Sequence, residues 1–306
     1  LVFGPGCVGC IGEMARELGG DRVLLVSDEG LVDAGHVARV ESLLNKAGLA
    51  VGVFTDVHEN PTTEDVDRCL TFAKSFGPDL IIGLGGGSSL DTAKGCNFLY
   101  TNSGVMADYH GVGKASKAML PFIAVPTTHG TGSETQSFAL IADAESHQKM
   151  ACGDPKALPK IAVLDAELTL TLPKHVSTIT GIDAVSHAVE SFVCNRRNDI
   201  STAYARESFR LTMQGYASVI DQPTSVEARG AMLLGAAYAG LAIENSMLGA
   251  AHSAANPLTA HYGVTHGHAV GLMLPHVVRH NAQDSVAAAM YGELAASAGI
   301  DNLDTL

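Results

Sequence analysis

The sequence contains no tryptophan, and aromatic residues make up only 5% of its 306 positions. Its cores must therefore be packed from aliphatic and small side chains. Positive charge is scarce as well. Nineteen Lys and Arg against 32 Asp and Glu leave a formal net charge of −13, and no basic run interrupts that balance. A nucleic-acid backbone is thus excluded as an expected partner. No apolar stretch reaches about 18 residues without polar interruption, so no membrane partner is expected. No signal peptide opens the chain, and a cytoplasmic location is expected. The six cysteines are too scattered for a disulfide scaffold. Cys7 and Cys10 form a lone C-x-x-C, either a redox or zinc pair or two half-buried residues at a turn. No second C-x-x-C completes a zinc site. Internal repeats and low-complexity linkers are absent too. An initiator Met is also missing, so the sequence reads as a fragment.

What is present is a hydrophobic fraction of 46% and 33 glycines, the composition of an α/β protein with small-residue packing. The length suits two domains. The first half alternates β-rich runs with amphipathic stretches. Strands are expected at 22–28, 50–57, 80–87, 122–128 and 161–167, with a hairpin over 138–152. Helices are expected at 31–48, 62–77 and 89–102. This alternation implies a doubly wound parallel sheet, Rossmann-like, over residues 1–172. After Pro173 the strand signal stops, and residues 173–306 read as an all-α domain, rich in Ala, Leu and Met.

Two glycine loops compete for a phosphate. "GPGCVG" (4–9) matches G-x-G-x-x-G, and Asp28 follows at the end of the next strand. "GLGGGSSLDTAK" (83–94) joins a clearer strand to a clearer helix, whose positive N-terminus favours an anion. "PTTHGTGSE" (126–134) ends another strand with Thr127, Thr128 and Thr131, at the edge where such sheets bind ligands.

Titratable residues concentrate in the second half. Asp183 and His187 lie four apart in "GIDAVSHAVES", on one face of an expected helix. Residues 249–281 hold six of the 13 histidines, and Pro257 is expected to interrupt the helix there. Asp183 and His187 could then meet His252 and His266, one carboxylate and three imidazoles. That set suits iron(II) or zinc. An Asp–His pair with unrelated histidines is the other reading open at this point.

Seven stretches, in order, resemble the iron-containing (group III) alcohol dehydrogenase family: "FGPG", "NPT", "GLGGGSSLDTAK", "VPTTHGTGSE", "LDAELTLTLP", "GIDAVSHAVES" and "THGHAVGLMLPH". The likeness extends over nearly the whole chain and is similar to the lactaldehyde/propanediol oxidoreductase and butanol dehydrogenase branches. It implies a dehydroquinate synthase-like architecture, with a metal between the domains. The implied reaction is reversible hydride transfer between a small alcohol, or its aldehyde or ketone, and NAD. It implies Asp183, His187, His252 and His266 as ligands of one divalent cation, Fe2+ first and Zn2+ second. The implied cofactor contacts are Gly86, Gly87 and Ser88 with Asp91 behind them, Asp28 at the adenosine ribose, Thr127, Thr128 and Thr131, and Asn60 and Lys149. The 83–94 loop, rather than 4–9, is the implied pyrophosphate loop. The family continues with further C-terminal helices and forms homodimers or larger homo-oligomers. One departure stands out. Many members carry a second His four residues after the third ligand, where this sequence has Asn256. The Asn256 amide can hold the substrate but cannot take a proton, so a proton route through His261 or His268, or through water along the nicotinamide ribose, is the expectation that follows. The rival readings are an NAD- and metal-dependent lyase on the same fold, a maleylacetate reductase, and a non-catalytic NAD- or metal-binding homologue.

Overall fold

The β-α-β alternation is present in the computed structural model, which describes residues 1–300. Six strands form one parallel sheet: β1 (Val2–Phe3), β2 (Arg22–Val26), β3 (Ala50–Phe54), β4 (Leu80–Gly85), β6 (Phe122–Pro126) and β9 (Ile161–Leu164). Their order is β1-β9-β6-β4-β2-β3. A smaller sheet joins β5 (Gly111–Val112) to the antiparallel hairpin of β7 (Phe138–Ala142) and β8 (Lys149–Gly153).

The unbroken apolar runs of the strands are explained by burial on both faces. Val23 and Leu25 of β2 point to one side, against Ile11 and Met14 of α1 (Ile11–Glu17) and Val40 and Leu44 of α3 (His36–Lys46). Leu24 and Val26 point to the other, against Cys69 and Ala73 of α4 (Thr63–Phe76) and Leu90 and Ala93 of α5 (Gly87–Asn102). The sheet is doubly wound. It reverses direction between β2 and β4, because β3 is added outside β2 while β4, β6 and β9 are added on the other side. The crevice at the strand C-termini of such a reversal is where this architecture binds ligands.

The remaining helices are α6 (Lys174–Val193), α7 (Asp199–Asp221), α8 (Val226–Glu244), α9 (Ala250–Tyr262), α10 (His266–Asn281) and α11 (Ser285–Ser297). They form a second unit together with the loop Thr128–Gln136, while Ser137–Thr171 stays with the sheet. α6 is the central helix of this bundle. Its Val185, Ala188 and Phe192 pack with Phe209 of α7, Leu274 of α10 and Leu294 of α11. α8 is long and apolar enough to cross a membrane, alone among the described residues, but 67% of its apolar window is buried inside the protein. Its small residues serve close packing: a Cβ on Gly132 would lie 2.8 Å from the Gly240 Cα.

Two expected boundaries are corrected. The single helix expected over 31–48 is two, α2 (Glu29–Asp33) and α3, parted by Gly35 at φ +78°. Only glycine takes that left-handed conformation at little cost. The expected break at Pro257 does not occur: α9 continues through it and ends at Gly263, φ +65°. Ser253 and Pro257 are both exposed, so the carbonyl that proline deprives of a partner can be solvated.

Candidate functional site

In the α/β unit, the residues after β2, β4 and β6 meet at the sheet reversal. Gly85 ends β4 at φ +152°, and a Cβ there would lie 2.6 Å from that of Ser89 and 3.3 Å from Asp28 Oδ2. Glycine is therefore required for the chain to turn this tightly into α5. Gly86 caps α5 without a side chain, and the helix carries no acidic residue in its first turn. The leading backbone N–H groups at Gly87 and Ser88 thus present a positive helix end without an acid of the helix's own first turn. Asp28 sits beside them. Its Oδ1 accepts from Leu31 N at 3.1 Å, and its Oδ2 from Ser89 Oγ at 3.1 Å. Thr127 is buried and donates its N–H to Gly85 O at 3.0 Å. Asp91 is buried behind the loop, where its Oδ2 accepts from Leu140 N at 3.1 Å. Asn60 lies exposed between β3 and α4 at φ +55°, and Lys149 opens β8 half-buried. The rival glycine loop is already closed on itself: the Asp165 carboxylate accepts from Gly6 N at 2.9 Å and Val8 N at 3.2 Å. Cys7 beside it is raised to about 11 by burial and then by Asp165. Both effects disfavour its thiolate, the form that redox chemistry and metal binding use.

In the helical unit, four side chains converge. Asp183 and His187 stand one turn apart on α6, His252 is in the first turn of α9, and His266 opens α10. Asp183 Oδ1 lies 3.6 Å from His187 Nε2, 3.4 Å from His252 Nε2 and 3.9 Å from His266 Nε2. The rings of His187 and His252 stack with centroids 4.7 Å apart. Each of these two rings has its other nitrogen engaged. His187 Nδ1 meets Gly130 O at 3.2 Å, and His252 Nδ1 meets Glu190 Oε2 at 2.5 Å. With Nδ1 donating and the rings neutral, as ligands of a cation would be, each Nε2 turns a lone pair toward the carboxylate. Lone pairs facing a carboxylate cannot hydrogen bond. Consistently, Asp183 Oδ1 and His252 Nε2 are buried without a hydrogen-bond partner. Such an arrangement calls for a cation at its centre. Tetrahedral ligands at about 2.1 Å from an ion stand about 3.4 Å from one another, and the observed separations approach that value. Among the described residues, Asp183, His187 and His252 are the group close enough to share an ion, with ligand atoms within 4.8 Å of one another.

The electrostatics agree. Burial pushes the Asp183 carboxyl up, but the surrounding imidazoles outweigh it and hold it well below the usual carboxylate range. Burial pushes His252 down, yet Asp183 and Glu190 raise it to about 9, so without an ion a proton takes up Nε2, and a bound cation would displace that proton. The pocket therefore favours positive charge. Local glycines make room for it. A Cβ on Gly130 would meet the Thr180 carbonyl at 2.5 Å, and no Cβ fits at Gly267, against the Ile179 carbonyl. Thr128 and Thr131 are half-buried in the same loop, where Thr131 Oγ1 accepts from Ser133 N at 3.3 Å. His129 between them is fully buried and neutral, lowered to about 4 by burial and by the Arg229 guanidinium.

Asn256, expected to hold the substrate, and His261 and His268, the expected proton relays, are placed differently. Asn256 is one turn beyond His252 on α9 and exposed, so it shares that face. His261 is exposed nine residues beyond His252, half a turn out of phase. His268 is exposed two residues after His266, on another side of α10. Neither is brought to the cluster. Glu190 was missed by the sequence reading. It follows His187 by three, so Asp183, His187 and Glu190 occupy one stripe of α6, a spacing that was available as a signal.

Comparison with known proteins places these features in context. The family model for iron-containing alcohol dehydrogenase matches residues 1–166, and its C-terminal companion matches residues 177–304. Alcohol dehydrogenase 4 of Schizosaccharomyces pombe is 36% identical over 300 residues, covering 98% of this chain and 71% of that protein. The NAD-dependent methanol dehydrogenase of Bacillus methanolicus is 33% identical over 280 residues, covering 92% of this chain and 74% of that one. Among solved structures, an alcohol dehydrogenase from Oenococcus oeni superimposes with a TM-score of 0.94 at 32% identity, covering 99% of this chain and 79% of its own.

Proposed function

The chain belongs to the iron-containing alcohol dehydrogenase family, and from that membership we propose how its own residues divide the work. It is a metal-dependent oxidoreductase acting on alcohols, with NAD as cofactor. In our reading Asp183, His187, His252 and His266 hold one divalent cation, iron before zinc. The observation that carries this is Asp183 Oδ1, buried without a hydrogen-bond partner and facing three imidazole nitrogens at 3.4–3.9 Å.

Gly86, Gly87 and Ser88 present the α5 N-terminus to the pyrophosphate, and Asp91 braces that helix through Leu140. Asp28 accepts from the adenosine ribose hydroxyls and disfavours a 2′-phosphate. Asn60, Lys149, Thr127, Thr128 and Thr131 are the remaining proposed NAD contacts. When bound, the cation supplies Lewis acidity to a substrate hydroxyl and the nicotinamide accepts the hydride. Asn256 orients the substrate with its amide, which cannot itself take a proton. His261 and His268 face elsewhere, so the proton leaves through water.

The substrate is a primary or small secondary alcohol, or the matching aldehyde or ketone. A cytoplasmic location fits the six free cysteines, the state that a reducing compartment maintains. A homodimer or larger homo-oligomer completes the proposal, without nucleic-acid or membrane partners, in keeping with the net charge of −13. The decisive experiment is metal analysis alongside an alcohol panel with NAD. The unaltered protein should hold about one iron or zinc per chain, and chelation should remove metal and activity together. Asp183→Ala with His187→Ala should hold none. Retention of metal by that double variant would put the site elsewhere.

A further inference from the structure

Glu190 is 3% exposed and spends both of its oxygens on one neighbour, the start of α9. Oε1 accepts from Ala251 N at 2.6 Å, and Oε2 lies 2.5 Å from His252 Nδ1 and 3.4 Å from His252 N. α9 has no side-chain cap of its own, because its capping position is Gly249. A Cβ there would stand 2.8 Å from Glu190 Oε1. The helix therefore begins on a carboxylate borrowed from α6, and the same carboxylate fixes the ring of His252. His187 is held differently, by the neutral Gly130 carbonyl at 3.2 Å.

We infer that Glu190 is a positioning residue for the metal centre: it locks His252 into the tautomer that aims Nε2 at the ion and supplies the second buried negative charge. The inference rests on the metal-site reading above. Its chemical content is twofold. A carboxylate on Nδ1 makes Nε2 a stronger donor than a backbone carbonyl does. Asp183 and Glu190 together also balance a divalent cation with two negative charges, so the buried centre is neutral. Without Glu190 the loaded centre would carry a net positive charge away from water, which disfavours loading. Glutamine cannot replace it. Its amide oxygen can take only one of the donors at Ala251 N and His252 Nδ1, while its amide nitrogen faces the other.

Glu190 also lines a pocket of about 1080 Å³, bordered by Arg196, Leu274, His280 and Tyr291. Truncation at 190 therefore leaves a gap that a small carboxylate can reach. This supplies the test. Iron(II) and zinc affinities are measured by competition with a chromophoric chelator for the unaltered protein, Glu190→Gln and Glu190→Ala. The melting temperature of each metal-free protein serves as control for folding, and the visible spectrum after cobalt(II) loading reports ligand geometry. Both variants should bind metal about 10- to 100-fold more weakly and show an altered cobalt spectrum. Formate should restore part of the affinity to Glu190→Ala and leave the unaltered protein unchanged. If neither variant folds, Gly249→Ala decides the matter: its methyl displaces Oε1 with Glu190 intact and should lower metal affinity. Affinities within twofold of the unaltered protein overturn the inference. So does a loss in Glu190→Ala that formate leaves untouched. If the unaltered protein loads no metal, the proposed function fails before Glu190 is at issue.

Discussion

Replacing Asp28 by Asn isolates one electrostatic contribution to cofactor choice. Asp28 ends the β2 edge of the sheet reversal, caps α2 through Leu31 N at 3.1 Å and receives Ser89 Oγ at 3.1 Å. Asparagine caps a helix about as well as aspartate, so shape and cap survive while the charge is removed. The magnitude follows from Coulomb's law. A carboxylate about 6 Å from one phosphate charge costs about 0.7 kcal/mol in bulk water and about 3 kcal/mol at an effective dielectric of 20. At about 1.4 kcal/mol per tenfold, these limits correspond to about 3-fold and about 100-fold in relative efficiency. Asp28 is half-buried, which favours the upper part of that range, and a 2′-phosphate carries more than one charge at neutral pH. The assay is kcat/KM for NAD and NADP with one alcohol, at two ionic strengths. Asp28→Asn should raise the NADP to NAD ratio about tenfold or more, and less at high salt. Asp28→Ala should change the ratio equally while also losing about 1 kcal/mol of stability with the cap. Equal use of both cofactors by the unaltered protein, or a ratio within twofold after Asp28→Asn, refutes the assignment.

Asn256→Ala should raise KM for the alcohol several-fold while metal content stays at the unaltered level, and Asn256→His should shift the pH–rate profile near neutrality; steady-state kinetics with metal analysis checks both. His261→Ala and His268→Ala should leave that profile unchanged, since helix phase points both away from the cluster, and a displaced limb in either would restore a side-chain proton relay. The Asp65 carboxyl is pushed up by burial but held below its usual value overall, by His58, Thr62 and then Arg68. Its contribution to stability is thus whole above about pH 4 and lost as pH falls through the lowered value. Asp65→Asn should flatten this acid limb in melts between about pH 2 and 5. Light scattering at micromolar concentration should give at least twice the mass of one chain, and a monomer would contradict the proposed assembly.

Much of the fold was legible because the strands are buried on both faces. Runs such as Val23–Val26 have no polar partner to alternate with, and a parallel sheet covered by helices is the arrangement that buries them. The boundaries that failed turned on single residues whose effect depends on surroundings. Gly35 reads as a tolerated helix glycine until its φ of +78° shows it parting two helices. Pro257 reads as a break until its exposed position allows the helix to continue.

The candidate site divides in the same way. Asp183 and His187 are spaced for one face of one helix, so their proximity follows from periodicity alone. That His252 and His266 reach the same point depends on how α9 and α10 pack against α6, and here motif resemblance supplied what spacing could not. Glu190 shares the stripe of Asp183 and His187, so periodicity reached it, but spacing alone did not give it a role. On its own helix it is one more acid in a stripe that already held a carboxylate and an imidazole. Its partner is 62 residues away, and the glycine that admits it, Gly249, has no side chain to advertise the contact. A ligand announces itself by its chemistry. The group that orients a ligand is recognised only where the unused nitrogen of that ligand is found, so the carboxylate behind His252 becomes readable when the hydrogen bond at Nδ1 is traced to its acceptor.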